Sequence, residues 1–157
     1  MIRMKELSPR QRAAAMAWLV AGEGSITIQR QTMTDGKPIP VASVWVGNTN
    51  RDMLEQVREA YGGVIACYSK PISSVHRQCY YWRITKQEQI IAVLEEVLPY
   101  LPLKREQAKS VLAFCRSRVK RRYLSNPHRN YNDRELGLWD YVRFLYARGN
   151  VPEPRRQ

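Results

Sequence analysis

Apolar positions along this chain change their period several times, and each change predicts an element. Ser8-Pro9-Arg10-Gln11 reads as a helix start, with Ser8 as cap, Pro9 at the first helical position and Gln11 closing a capping box. Ala13, Met16, Ala17 and Val20 then recur on one helical stripe, with Ala14 and Ala21 beside it. A face so rich in alanine allows the backbone of another helix to approach closely. The helix is expected to stop at Gly22, with Glu23 at the stop. From Ser25 to Gln31 the period falls to two, Ile26 and Ile28 on one side and Thr27, Gln29 and Gln31 on the other. A turn at Asp35-Gly36-Lys37-Pro38 leads to residues 41–46, where Ala42, Val44 and Val46 alternate with Val41, Ser43 and Trp45. Together they predict a long antiparallel hairpin with one buried face.

The same alternation of elements then repeats. Asn48 to Asp52 ends the strand and caps a short helix through about Ala60, with Met53, Leu54, Val57 and Ala60 as its apolar stripe and Gly62-Gly63 as its breaker. A second hairpin is expected from strands near residues 64–69 and 78–85. Ile90, Leu94, Val97 and Leu101 mark a helix ending at Pro99–Pro102, and Ala108, Val111, Leu112 and Cys115 mark another from Lys104. The order is αββαββα. It predicts an α+β fold, in which one antiparallel four-stranded sheet has helices on one face and its other face open. A basic, turn-rich loop and a last helix follow over residues 119–149, the helix capped by Asn132 with Glu135 and carrying Trp139, Val142 and Tyr146 on one stripe. One domain over residues 1–150, with its core at about 8–118, and a disordered tail at 151–157 complete the expected organisation.

Charge changes what the open face is for. The chain of 157 residues has 26 Lys and Arg against 14 Asp and Glu, a formal net charge of +12. There is no acidic residue between Glu106 and Asp133, so the excess is concentrated late in the chain. A polyanion is the expected partner, nucleic acid ahead of an acidic membrane surface. Cys67, Cys79 and Cys115 are odd in number and widely spaced, and neither His76 nor His128 stands at metal-ligand spacing from them. A zinc site and a disulfide framework are therefore not expected, and a reducing, intracellular location is: a bacterial or archaeal cytoplasm, or an organelle interior. The longest apolar run, residues 13–21, is too short to span a bilayer.

Met16-Ala17-Trp18-Leu19-Val20-Ala21-Gly22-Glu23-Gly24-Ser25-Ile26 runs small and apolar residues into Gly-Glu-Gly. On this stretch the chain resembles the LAGLIDADG homing endonucleases, in the version of their motif ending Gly-Glu-Gly, and the resemblance covers residues 10–118. The resemblance continues, in order and at family spacing, at Val46-Gly47-Asn48-Thr49-Asn50, Tyr61-Gly62-Gly63-Val64-Ile65, Tyr81-Trp82-Arg83-Ile84 and Pro99-Tyr100-Leu101-Pro102-Leu103-Lys104-Arg105-Glu106-Gln107-Ala108. Trp18 departs from the pattern, standing where the family usually has glycine at the crossing of two motif helices. Ala21 stands where it usually has aspartate.

This resemblance implies a site-specific double-strand DNA endonuclease that leaves short 3′ overhangs. A chain with a single motif is implied to be half an enzyme. It would work as a homodimer on a pseudo-palindromic target, with Ala13, Ala14, Ala17, Trp18 and Ala21 at the seam. Mg²⁺ (Mn²⁺ as a possible substitute) would be held by the Glu23 carboxylate and the Gly22 carbonyl at the dimer axis, an oxygen-rich environment suited to that ion. Asn48 matches a family position that helps order the attacking water, and Lys104 a lysine near the scissile phosphate.

Sequence recognition would fall to the solvent faces of the hairpins: Thr27, Gln29, Arg30, Gln31, Lys37, Ser43 and Trp45 from the first, Tyr68, Lys70, Arg77, Gln78 and Tyr80 from the second. Lys120, Arg121, Arg122, His128 and Arg129 would hold phosphates. The expected partners are double-stranded DNA and a second copy, with no membrane and no small-molecule substrate. The competing readings are a DNA-binding regulator that does not cut, an RNA-binding intron maturase, and a basic ribonucleoprotein scaffold.

Overall fold

In the computed structural model the described residues are 2–68, 77–122 and 130–149. Lys70, His128, Arg129 and the tail at 151–157 lie outside them. The element order is α1 (Pro9–Glu23), β1 (Gly24–Thr32), β2 (Pro38–Asn48), α2 (Arg51–Tyr61), β3 (Val64–Cys67), β4 (Tyr80–Ile84), α3 (Gln87–Val97), α4 (Arg105–Lys120) and α5 (Asp133–Gly149). Short 3₁₀ turns precede α1 and follow α3. The αββαββα order and the α+β class are as the apolar periods predict.

Local chemistry sets the boundaries. Ser8 accepts the Gln11 amide, and the Gln11 side chain returns to the Ser8 amide, forming the expected capping box. Asn50 caps α2 by accepting from the Met53 amide at 3.1 Å. The first helix does not stop at Gly22. It runs one residue further, through Glu23, and Gly24 is its cap. Gly24 is needed there, because a Cβ would lie 2.6 Å from the Trp45 carbonyl oxygen of β2.

The four strands form one antiparallel sheet in the order β1-β2-β4-β3. Its helix-facing side presents Ile26, Ile28, Ala42, Val44, Val46, Trp82 and Ile84, all buried against Met16, Ala17 and Val20 of α1, Leu54 of α2 and the apolar stripes of α3 and α4. Trp82 is the largest fully buried side chain, and its indole N–H donates to the Gly62 carbonyl at 2.6 Å. Gly62 and Gly63 both have positive φ, 72° and 90°. A Cβ on Gly63 would meet Ile84, Arg83 and Trp82 within 2.8 Å, so the glycine pair lets β3 begin directly against β4.

The last helix is tied to α4 by a buried carboxylate. Glu135 accepts from the Ser117 hydroxyl at 2.6 Å, from Arg118 at 3.2 Å, from Arg121 at 2.9 Å and from the Asn132 amide at 3.1 Å. Asn132 in turn accepts the Glu135 amide at 2.8 Å, completing the expected cap. Burial alone would raise the Glu135 carboxyl pKa, but the hydrogen bonds from Ser117, Asn132 and Arg118 hold it below its ordinary value. Among the described residues, no helix is long and apolar enough to cross a membrane.

Candidate active centre and nucleic-acid interface

Glu23 is the last residue of α1, exposed, and its side chain has no hydrogen bond or ion pair among the described residues. A carboxylate at the C-terminal, negative end of a helix dipole is electrostatically unfavourable, and the last turn of α1 holds no basic residue of its own. The compensating cation comes from Lys104, the residue just before α4. Its ammonium donates to the carbonyls of Val20 at 3.0 Å, Ala21 at 2.8 Å and Gly24 at 2.6 Å. Those three acceptors use all three of its N–H groups. Burial pulls the Lys104 pKa down from its ordinary value. Lys104 is also the only non-glycine residue with positive φ among the described residues, at 63°.

Asn48 reaches the same end of the sheet by register. Gly24 pairs with Val46, so two residues further along β2 Asn48 lies level with the end of α1. Its Oδ1 accepts the Asn50 amide at 2.8 Å and shapes the turn into α2. Gly22 is exposed, and a Cβ there would meet nothing within 4 Å.

The open sheet face begins at this site. Burial alternation and register put Thr27, Gln29 and Gln31 of β1, Trp45 of β2, and Tyr81 and Arg83 of β4 on it, with Tyr68 beyond β3. Gln29, Trp45, Tyr68, Tyr81 and Arg83 line one concavity, where the Tyr68 and Tyr81 rings lie 5.0 Å apart. Tyr81 and Arg83 were missed by the sequence reading, although Trp82 and Ile84, as core residues, fix them on the opposite face. The Arg83 Nε is buried and has no hydrogen-bond partner among the described residues.

Several expected face residues stand elsewhere. Tyr80 shares the parity of Trp82, packs against the core and lies under the Arg51 guanidinium of α2, so it is on the helix side. Gln78 spends its amide on the Tyr68 and Cys79 carbonyls, bracing the hairpin. Arg30 shares the parity of Ile28 and lines a groove with Trp139, Arg143 and Tyr146 of α5. Ser43 has the parity of the open face, opposite Thr27, but is fully covered, so it offers no surface there. Lys37 is exposed in the turn between β1 and β2, and Arg77 is exposed before β4.

Two of the three described residues expected to hold phosphates late in the chain are committed within it. Arg121 pairs with Glu135 and Asn130, and Arg122 pairs with Glu88. Lys120 is exposed and, among the described residues, unpartnered.

The alanine seam is also corrected. Ala13, Ala17 and Ala21 are buried in the chain's own core, so they are not surface for a partner. The exposed stripe of α1 is Gln11, Ala15, Trp18 and Gly22, with Ala14 half-buried at its side. Trp18 is 66% exposed.

No three His, Cys, Asp or Glu side chains among the described residues are grouped to hold a metal. One chain therefore offers a single carboxylate with neighbouring backbone carbonyls. That donor set is all oxygen and suits a hard divalent cation that keeps waters and takes further oxygens from elsewhere.

No protein-family model matches this sequence, and no curated protein does. Solved structures do match. The homing endonuclease I-CvuI in complex with a DNA target is 21% identical, with TM-score 0.63 over 95% of this chain and 87% of that one. The archaeal intron-encoded homing endonuclease I-Vdi141I complexed with DNA is 15% identical, with TM-score 0.67 over 96% and 90%. I-SmaMI bound to an uncleaved DNA target in the presence of calcium ions is 17% identical, with TM-score 0.58 over 96% of this chain but 52% of that one. The chain has the fold of the LAGLIDADG homing endonucleases.

Proposed function

We propose that this protein is a site-specific double-strand DNA endonuclease that works as a homodimer. The observation that carries the reading is Glu23, a carboxylate without a partner among the described residues, at the unfavourable end of its helix and at the start of an open aromatic and basic sheet face. A position that costs the helix stability is expected where chemistry requires it. The fold likeness to proteins solved on DNA supports the substrate class. The match to only half of I-SmaMI supports two copies per assembly.

Duplex DNA would lie along the open face, with Gln29, Trp45, Tyr68, Tyr81 and Arg83 toward base edges. Glu23 and the Gly22 carbonyl would hold Mg²⁺, or Mn²⁺ in its place, at the junction of two chains. When bound, the ion neutralises phosphate charge and lowers the pKa of water. Asn48, its Oδ1 already committed to the turn, offers its side-chain NH₂ to orient a water. Lys104 holds the backbone under Glu23 and places a positive charge beside the phosphate. Cutting each strand once, two symmetric sites would leave short 3′ overhangs on a pseudo-palindromic target.

The test is selection of cleaved duplexes from a randomised DNA library with Mg²⁺, followed by Glu23→Gln on the selected duplex. Cleavage is expected to vanish while affinity is kept. Wild-type protein that binds a duplex tightly yet leaves it uncut would favour the non-cleaving regulator instead.

A further inference from the structure

The accessory helix α5 reaches back to the residues that follow Glu23. The Tyr146 hydroxyl lies 2.6 Å from the Ser25 Oγ, donates to the Ile26 carbonyl at 2.9 Å and accepts the Ile26 amide at 3.2 Å. With its one proton on the Ile26 carbonyl, the phenol accepts from Ser25, so its hydrogen-bonding capacity is used in full. β1 is an edge strand, and Ile26 turns its amide and carbonyl outward, where no strand pairs with them.

The backbone on either side of Glu23 is thereby held from three directions. Lys104 binds the carbonyls of residues 20, 21 and 24; the Trp45 carbonyl closes the space at Gly24; Tyr146 binds Ser25 and Ile26. The Glu23 side chain itself has no hydrogen bond or ion pair among the described residues. Tyr146 belongs to a helix outside the αββαββα unit, anchored by the buried Val142 and by Glu135. A ring packed on the core would satisfy stability without its oxygen; the oxygen is spent on the segment that carries the carboxylate.

We propose that Tyr146 is a positioning residue for Glu23, making α5 part of the active-centre scaffold. The proposal rests on the endonuclease reading for its catalytic consequence, but not for the clamp itself. The experiment is Tyr146→Phe in the full chain, with Ser25→Ala and the double variant alongside. In hydrogen exchange, the Gly24 amide, bonded to the Val20 carbonyl at the helix end, is expected to lose protection in Tyr146→Phe while α3 and α4 keep theirs. On the selected duplex, single-turnover cleavage is expected to slow about tenfold and half-saturation to need more Mg²⁺, with DNA affinity within about threefold of wild type.

The double variant should be less than additive if Ser25 acts through Tyr146. Unchanged exchange at Gly24, or cleavage and Mg²⁺ dependence equal to wild type, overturns the proposal. So does a fall in affinity parallel to a general loss of protection, which would mark Tyr146 as merely structural. If wild-type protein cleaves no duplex, the endonuclease reading fails, and the exchange measurement still decides the clamp.

Discussion

The Lys104 ammonium donates to the Gly24 carbonyl at 2.6 Å, binding the start of α4 to the turn that carries Glu23 across 80 residues of sequence. A helix-start lysine and a lysine beside the reacting phosphate are usually competing explanations. Lys104 is a helix-start lysine by position, and its grip on the end of α1, where the two elements touch, is what supports the proposed place beside the phosphate.

Lys104→Ala is expected to cost about 2–3 kcal/mol in chemical denaturation, the range for hydrogen bonds made by a charged donor to groups that lose their partner. Lys104→Gly removes the same bonds but suits the left-handed φ of 63°, so it should be about 1 kcal/mol less damaging. Equal losses for the two variants would show that the backbone there is not held in that conformation.

On the open face, Arg83→Ala is expected to weaken binding of the selected duplex by about 1–3 kcal/mol and to relax preference at one or two base pairs. Tyr80→Phe, on the helix side, should leave the sequence preference unchanged. A binding profile that responds to Tyr80 and ignores Arg83 would reverse the assigned parity of β4.

Trp18→Glu should convert the proposed dimer to a folded monomer in sedimentation, because the ring is 66% exposed in the single chain. The same change at buried Ala17 should instead unfold the protein. A Trp18→Glu protein that remains dimeric places the seam on another surface.

Acid sensitivity should trace to Glu135. Its folded pKa lies below the ordinary carboxyl value of 4.5, so its stabilising contribution is complete above that value and is lost as pH falls below it, through the folded pKa. Glu135→Gln should flatten stability against pH in that acid range. At neutral pH it should cost about 3–5 kcal/mol, since Arg118 and Arg121 lose a buried counter-charge. An unchanged acid-denaturation curve in that variant would exclude Glu135 as the titrating group.

Much of the fold could be read from periodicity, because Ile26 with Ile28, and Ala42 with Val44 and Val46, leave only one way to face the core. Caps were equally legible at Ser8 and Asn132, where donor and acceptor are three residues apart, and the cap of α2 falls at Asn50 within the capping stretch read from Asn48 to Asp52. What escaped depends on distant partners. The alternation around Trp82 is short, so Tyr80 was placed one residue out of phase. The burial of Ala13, Ala17 and Ala21 follows from a sheet that composition cannot locate. The ion pairs of Arg121 and Arg122 need Glu135 and Glu88, which approach only once α4, α5 and α3 have packed. The three-carbonyl grip of Lys104 leaves no local trace at all.

The division of the sheet into a core side and an open side has a consequence for how such a protein can change. Trp82 and Ile84 maintain the fold while Tyr81 and Arg83, between and beside them, touch none of that packing duty. Neighbouring codons in β4 are therefore under unrelated constraints. A lineage, or an engineer, can alter the face proposed to meet DNA while leaving intact what makes the chain fold.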